Sequence, residues 1–149
     1  AEIVQPGGRG RLDPAAGDAV PASGGILQRP VGGAIISNFG YRIHPVYGTS
    51  RMHEGVDFSN ACGTPILAAQ SGKVTMASYS GGAGNMVQID GGSVDTVYMH
   101  LSRFGVSSGQ QVSRGEVIGY VGTTGTSTGC HLHFGVQKDG NYTDPVPYL

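Results

Sequence analysis

Hydrophobic residues recur in short runs along the chain after residue 33, and many of these runs alternate with polar residues. Because successive side chains of an extended strand point to opposite faces, such runs bounded by Gly, Pro, Asn and Asp predict β-strands. The runs are residues 34–37, 55–59, 64–70, 73–79, 85–89, 95–101, 116–121 and 131–137. Their shortness and even spacing predict an all-β fold, an antiparallel β-sandwich or a barrel-like hybrid.

One turn in this pattern is specified strongly. The stretch Asp90, Gly91, Gly92, Ser93 lies between two of the runs, and glycine accepts the positive φ of tight turns. We therefore expect a hairpin here that delivers Tyr98 and His100 onto one face of its second strand.

Residues 1–33 differ from the rest because they contain Gly, Pro and Ala with single charges and show no hydrophobic periodicity. This composition predicts a flexible leader over residues 1–33, followed by one domain over residues 34–149. A total of 149 residues suits a single domain with its own core, and the 27 glycines and 8 prolines favour a turn-rich fold.

The charge balance excludes some classes of partner. Nine Lys and Arg oppose ten Asp and Glu, and the basic residues form no run, so nucleic acid is not an expected partner. No apolar stretch approaches the roughly 18 residues that a membrane-spanning helix needs, so no transmembrane segment is expected.

Histidine placement gives the first chemical signal. In HLHF, residues 131–134, His131 and His133 point to one face of a strand while Leu132 and Phe134 point to the other. Paired imidazoles at strand spacing are candidates for a metal site or for proton transfer.

A carboxylate and a third histidine complete a candidate zinc set. His53 and Asp57 are four residues apart, which keeps them on one face of an extended chain. Together with His133 they offer two imidazoles and one carboxylate, the ligand types of a catalytic zinc with a fourth position left for water. The remaining His100 and His131 offer a base and a hydrogen-bond donor. The alternative is that some of these histidines are satisfied core or surface residues.

The two cysteines flank the same residues. Cys62 lies five positions after Asp57, and Cys130 directly precedes His131, so the thiols are expected to be close in space. A disulfide would close a loop of 130 − 62 = 68 residues, which loop-entropy models value at about 4 kcal/mol. It would also imply an oxidising, extracytoplasmic compartment. Two reduced core cysteines, or cysteine ligands to zinc, are the alternatives.

Several motifs together resemble a known family. HEGVD, VYMHL and HLHF occur in this order, with GTPILAAQSGKV and VSRGEVIGYVGTTG between them. Over about residues 30–149 the chain resembles the lysostaphin-type (LytM-like) zinc endopeptidases that cut peptidoglycan cross-links. The resemblance implies one zinc ion bound by His53, Asp57 and His133, with His131 and His100 as the catalytic pair. It also implies an antiparallel β-fold whose site lies in an open groove between loops.

Further expectations follow from the resemblance. Tyr47 is similar in position to a groove tyrosine that assists the oxyanion in some members, and an exposed loop tyrosine is the alternative. His44 is expected to be a groove-wall or loop residue. The substrates would be stem or bridge peptides of peptidoglycan, acted on by a secreted, periplasmic or cell-wall-associated protein that is expected to be a monomer.

Two other functions compete with this interpretation. AAQSGKV and GQQVSRGEVIGYV resemble hairpins of biotinyl and lipoyl carrier domains, but neither Lys73 nor Lys138 lies in the motif that such a carrier needs. The second alternative is a catalytically silent relative that binds peptidoglycan or activates another hydrolase.

Overall fold

The structure is a computed structural model that describes residues 25–43 and 47–149, together with the backbone of two short strands nearer the N-terminus. The strands are β1 (Val4–Gln5), β2 (Arg9–Gly10), β3 (Ile35–Ser37), β4 (Gly40–Ile43), β5 (Ser50–His53), β6 (Val56–Ser59), β7 (Pro65–Leu67), β8 (Gly72–Tyr79), β9 (Asn85–Asp90), β10 (Asp95–Leu101), β11 (Arg103–Phe104), β12 (Gln111–Val112), β13 (Val117–Tyr120), β14 (His131–Lys138) and β15 (Asn141–Thr143). In the part of the chain that the structure describes, 3-10 turns cover Gly81–Ala83 and Val146–Tyr148.

Most of the strands form one large and one small antiparallel sheet. The large sheet has the order β12-β8-β9-β10-β14-β6-β3, with β15 paired to β14, and the small sheet has the order β11-β13-β7. The pairs β4-β5 and β1-β2 form separate two-stranded units. The predicted all-β antiparallel class is confirmed, and in the described part of the chain neither sheet closes into a barrel.

One buried cluster unites the two sheets. Phe58, Tyr98 and Phe134 of the large sheet and Ile66 and Ile118 of the small sheet are all fully buried in it. The rings of Tyr98 and Phe134 lie 5.4 Å apart. Because these apolar side chains alternate along their strands with residues of the other face, the opposite face of β6 and β14 is left for the polar residues of the candidate site. No helix among the described residues has the length and apolarity to cross a membrane.

The last residues of the predicted leader contact the domain. Leu27 and Val31 are buried in the core, and the backbone N–H of Leu27 donates to the Tyr148 carbonyl at 2.7 Å. Residues 25–33 therefore pack against the domain without forming a regular strand, which is why no hydrophobic period marks them. Residues 1–24 of the predicted leader lie outside the described residues, apart from the backbone of β1 and β2.

The hairpin between β9 and β10 is confirmed, but one expectation attached to it is wrong. Tyr98 packs against Phe134 in the core, whereas the His100 ring lies 4.9 Å from the ring of His131 on the other face. The pairing of β10 with β9 shifts between Tyr98 and Leu101, and His100 has a φ of +70°. This irregularity breaks the strand alternation and turns His100 away from the face of Tyr98.

Candidate metal centre

Three strands bring the predicted metal ligands together. On the paired strands β6 and β14, Asp57 and His133 stand directly opposite each other, so their side chains share a face. His53 is the last residue of β5, and a short turn leads from it into β6. One donor atom from each of His53, Asp57 and His133 lies within 4.8 Å of the other two.

The spacing of the donor atoms suits a zinc ion. The Asp57 carboxylate lies 3.0 Å from His133 Nδ1 and 3.3 Å from His53 Nε2. Tetrahedral zinc with ligand bonds of 2.0–2.2 Å separates neighbouring ligand atoms by roughly 3.4 Å. Two imidazole nitrogens and one carboxylate oxygen thus converge at a separation that zinc accepts with little rearrangement.

Surrounding groups fix the orientation of both ligand imidazoles. His53 Nδ1–H donates to the Asn38 carbonyl at 2.8 Å, so Nε2, which faces Asp57, is the atom that the neutral ring offers to a metal. When the ring is protonated, Nε2–H donates to the Asp57 carboxylate instead. The His133 ring packs over Gly55, where an added Cβ would lie only 2.6 Å from His133 Nε2. A residue larger than glycine at position 55 would therefore displace this ligand.

The electrostatics keep the carboxylate ionised. Burial alone would raise the pKa of Asp57, but the hydrogen bonds with His133 and His53 outweigh it and hold that pKa well below its usual range. The same contact with Asp57 raises the pKa of His53 against the opposing effect of burial. The centre therefore presents a negative charge to whatever cation occupies it.

His131 and His100 lie beside these three residues. Each uses Nδ1–H to donate to a backbone carbonyl at 2.8 Å, His131 to Gly129 and His100 to Thr124. In both neutral rings Nε2 is therefore a proton acceptor. His131 Nε2 lies 3.8 Å from an Asp57 oxygen. Burial lowers the pKa of His100, which favours the neutral imidazole.

Thr124 holds the unusual conformation of His100. A positive φ at a residue other than glycine is strained and persists only where its surroundings enforce it. The Thr124 carbonyl accepts from His100, while its hydroxyl donates to the Leu101 carbonyl at 2.7 Å and accepts from the Asn85 N–H at 3.1 Å. Thr124 is thereby bonded to His100, to the next residue Leu101 and to Asn85 of the neighbouring strand β9.

The expected disulfide is present. Cys62 and Cys130 are bonded, with their Cα atoms 5.2 Å apart, so the alternatives of reduced cysteines and of cysteine ligands to zinc are wrong. The bond ties the residue before His131 to the loop that follows β6. Gly129, whose carbonyl orients His131, lies directly before the bonded Cys130.

Reduction of this disulfide is expected to lower the melting temperature before it abolishes metal binding. The predicted metal ligands lie in paired strands, whereas the disulfide restrains the loop ends beside them. The ligand geometry should therefore be retained after the disulfide is reduced. Thermal unfolding and zinc content, measured with and without a thiol reductant, test this. Two titratable thiols in the native, unreduced protein would contradict the bond.

The remaining site predictions concern the loop between β4 and β5. Tyr47 lies in this loop with 77% of its side chain exposed, and its role toward the oxyanion stays a prediction. His44 lies outside the described residues. The positioning roles of Asn38, Thr124 and Gly129 were not anticipated, since each acts through a backbone carbonyl that residue type does not reveal. Of the residues that position the site, only Gly55 could have been found from the sequence, because it lies within the HEGVD motif.

Comparisons with known proteins agree with this geometry. The family described as peptidase family M23 matches residues 51–145. Lysostaphin of Staphylococcus simulans is 42% identical over 118 residues, which cover 74% of this chain and 24% of lysostaphin. The peptidoglycan DD-endopeptidase ShyC of Vibrio cholerae is 41% identical over 113 residues, which cover 74% of this chain and 26% of that protein. The chain thus spans about a quarter of the length of these curated relatives.

A solved structure extends the likeness to three dimensions. The crystal structure of a zinc containing peptidase from Vibrio cholerae superposes with a TM-score of 0.76 at 37% identity, over 79% of this chain and 38% of that chain. The family match covers more than half of the chain and includes His53, Asp57, His100, His131 and His133. The resemblance to lysostaphin-type enzymes is confirmed, and the chain belongs to peptidase family M23.

Proposed function

We propose that this chain is a zinc-dependent endopeptidase that hydrolyses peptide cross-links of bacterial peptidoglycan. The observation that carries the proposal is the convergence of His53, Asp57 and His133 beside two imidazoles with unprotonated Nε2 atoms. The names of the similar proteins support the substrate, since one of them is a peptidoglycan DD-endopeptidase.

His53, Asp57 and His133 would hold one zinc ion per chain. The donor set of two imidazoles and a carboxylate is that of catalytic zinc sites, which keep a position open, whereas structural sites are usually closed by four protein ligands. Zinc in this position supplies Lewis-acid polarisation of the scissile carbonyl and lowers the pKa of water toward about 7.

His131 is the proposed general base. Its Nε2 faces the Asp57 carboxylate, and its Nδ1–H is held by the Gly129 carbonyl, so the ring presents a fixed proton acceptor to the attacking water. Once protonated, Nε2–H becomes a donor to the amine that leaves.

His100 is the proposed second member of the catalytic pair. While neutral, its Nε2 accepts a hydrogen bond from the attacking water or from the leaving amine. It donates to the tetrahedral oxyanion only after taking up a proton, because its Nδ1–H is already committed to Thr124.

The compartment follows from the disulfide and the substrate. Cys62 and Cys130 are bonded, and disulfides persist in oxidising compartments, where peptidoglycan also lies. We therefore place the protein outside the cytoplasm, as a secreted, periplasmic or cell-wall-associated hydrolase acting as a monomer on stem or bridge peptides.

Hydrolysis of purified peptidoglycan tests the proposal directly. The zinc-loaded protein should release peptide fragments with new amino termini, and a chelator should stop the release until zinc is restored. Sedimentation with the same walls measures binding in parallel. Binding without hydrolysis would overturn the proposal in favour of the catalytically silent relative.

Zinc affinity is expected to fall in mildly acidic solution. A histidine must be neutral to bind metal, so protons compete with zinc at pH values below the pKa of the ligand. Contact with Asp57 raises the pKa of His53 above its ordinary 6.5, so protons compete with zinc at higher pH than they would for an unperturbed histidine, and the competition strengthens as the pH falls. Zinc titrations at several pH values measure the effect, and an affinity that is constant down to about pH 5 would contradict it.

A further inference from the structure

Two arginines stand opposite each other on the hairpin next to the metal centre. In the β4-β5 pair, Arg42 is the direct register partner of Arg51. His53 lies two residues after Arg51 on the same strand and is the register partner of Gly40. Residues directly opposite in an antiparallel pair share a face, as do residues two apart on one strand. Both arginines therefore lie on the hairpin face that also carries His53, although like charges in this position cost stability.

A hydroxyl beside the metal centre anchors one of the two guanidinium groups. Arg42 Nη1 donates to Ser37 Oγ at 2.7 Å, and Ser37 is the register partner of Asp57 in the neighbouring strand β3. The guanidinium of Arg42 is thus held next to a proposed zinc ligand. Its charge also contributes to the pKa of His53, which it lowers slightly.

Among the described residues, no carboxylate neutralises the charges of the two arginines. Within residues 25–43 and 47–149, the ion pairs to Asp57 all come from histidines, and neither Arg42 nor Arg51 has a carboxylate partner. Arg42 has five N–H donors, of which Ser37 takes one. Both side chains are exposed, so their remaining donors are available to a ligand.

We propose that Arg42 and Arg51 form a carboxylate-binding subsite that selects peptides with a free carboxylate close to the scissile bond. The planar fork of arginine matches a carboxylate in a bidentate manner, and a second guanidinium opposite it can bind the remaining lone pairs of the same two oxygens. This inference rests on the proposed function and narrows it. Stem-to-stem cross-links carry free carboxylates, whereas an oligoglycine bridge has none along its length, so the stem-to-stem type is favoured.

Two synthetic cross-linked peptides test the subsite. They are identical except that one has a free carboxylate next to the scissile bond and the other has a carboxamide there. The wild-type protein should have the higher kcat/KM for the acid. Arg42→Gln should lower kcat/KM for the acid by about 10- to 100-fold, chiefly through KM, because one charge-assisted bidentate contact is lost. The same substitution should leave kcat/KM for the amide almost unchanged. Arg51→Gln should act in the same direction.

The control is Lys73→Gln, which removes one positive charge on β8, three strands from β14, and should leave both peptides unaffected. If Arg42→Gln lowers kcat/KM equally for the acid and the amide, the subsite is wrong and Arg42 has a structural role through Ser37. The absence of any acid preference in the wild type would overturn it as well. If neither peptide is cut, the proposed function fails, and calorimetric binding of the two peptides to wild type and Arg42→Gln still decides the inference by the same comparison.

Discussion

His133→Ala is expected to abolish hydrolysis and to lower zinc affinity by orders of magnitude. The substitution removes one of three donors and leaves Asp57 without its contact at 3.0 Å, so the carboxylate and His53 alone must hold the metal. Zinc content after dialysis, measured with peptide release from purified walls, reports both effects.

A control in the same strand separates loss of the ligand from loss of the fold. Lys138 ends β14 with an exposed side chain, and Lys138→Ala should keep both zinc and activity. Equal melting temperatures of the two metal-free variants would show that the strand is intact. A His133→Ala protein that still binds one zinc per chain would contradict the ligand assignment.

His131→Ala is expected to retain zinc while losing on the order of 100-fold or more in turnover. His53, Asp57 and His133 remain in place, but the proton acceptor held by the Gly129 carbonyl is gone. Zinc content and kcat, measured beside His133→Ala, separate the two histidines although they share one face of β14.

Two results would show that the role given to His131 is wrong. One is loss of zinc as complete as in His133→Ala, which would make His131 a ligand. The other is near-normal turnover with zinc bound, which would make His100 the better candidate for the base, since its Nε2 is also unprotonated and its ring lies 4.9 Å from that of His131.

Much of the fold was predictable because burial on one face imposes a period of two. The strands β9, β10 and β14 bury alternate or continuous apolar residues, and their predicted positions agree with the structure within a residue or two. It was likewise predictable that the three proposed ligands lie close together. Strand spacing puts His53 and Asp57 on one face, and together with His133 they offer the ligand types of a catalytic zinc.

The hairpin of β4 and β5 was not predicted, for a physical reason. Tyr41, Arg42 and Ile43 are all exposed, so this short strand buries neither face against the core. The register that places Arg42 against Arg51 depends on pairing across a loop, which no local pattern encodes. The two arginines proposed to select the substrate thus lie on a hairpin that the sequence pattern does not predict.

The positions of His100 and of residues 25–33 were missed for different reasons. Strand alternation assigns His100 to the core face, and only a strained φ of +70° reverses this, which no propensity favours at a histidine. Leu27 and Val31 are buried by an irregular segment whose hydrogen bonds go to distant backbone groups, so no period reveals them.

Zinc titration of the metal-free protein, with peptide release from purified peptidoglycan as the readout, tests the central claim most directly. Without metal no release is expected, and activity should rise linearly with added zinc to a plateau at one zinc per chain. Full activity in protein shown by elemental analysis to contain no stoichiometric metal would contradict it.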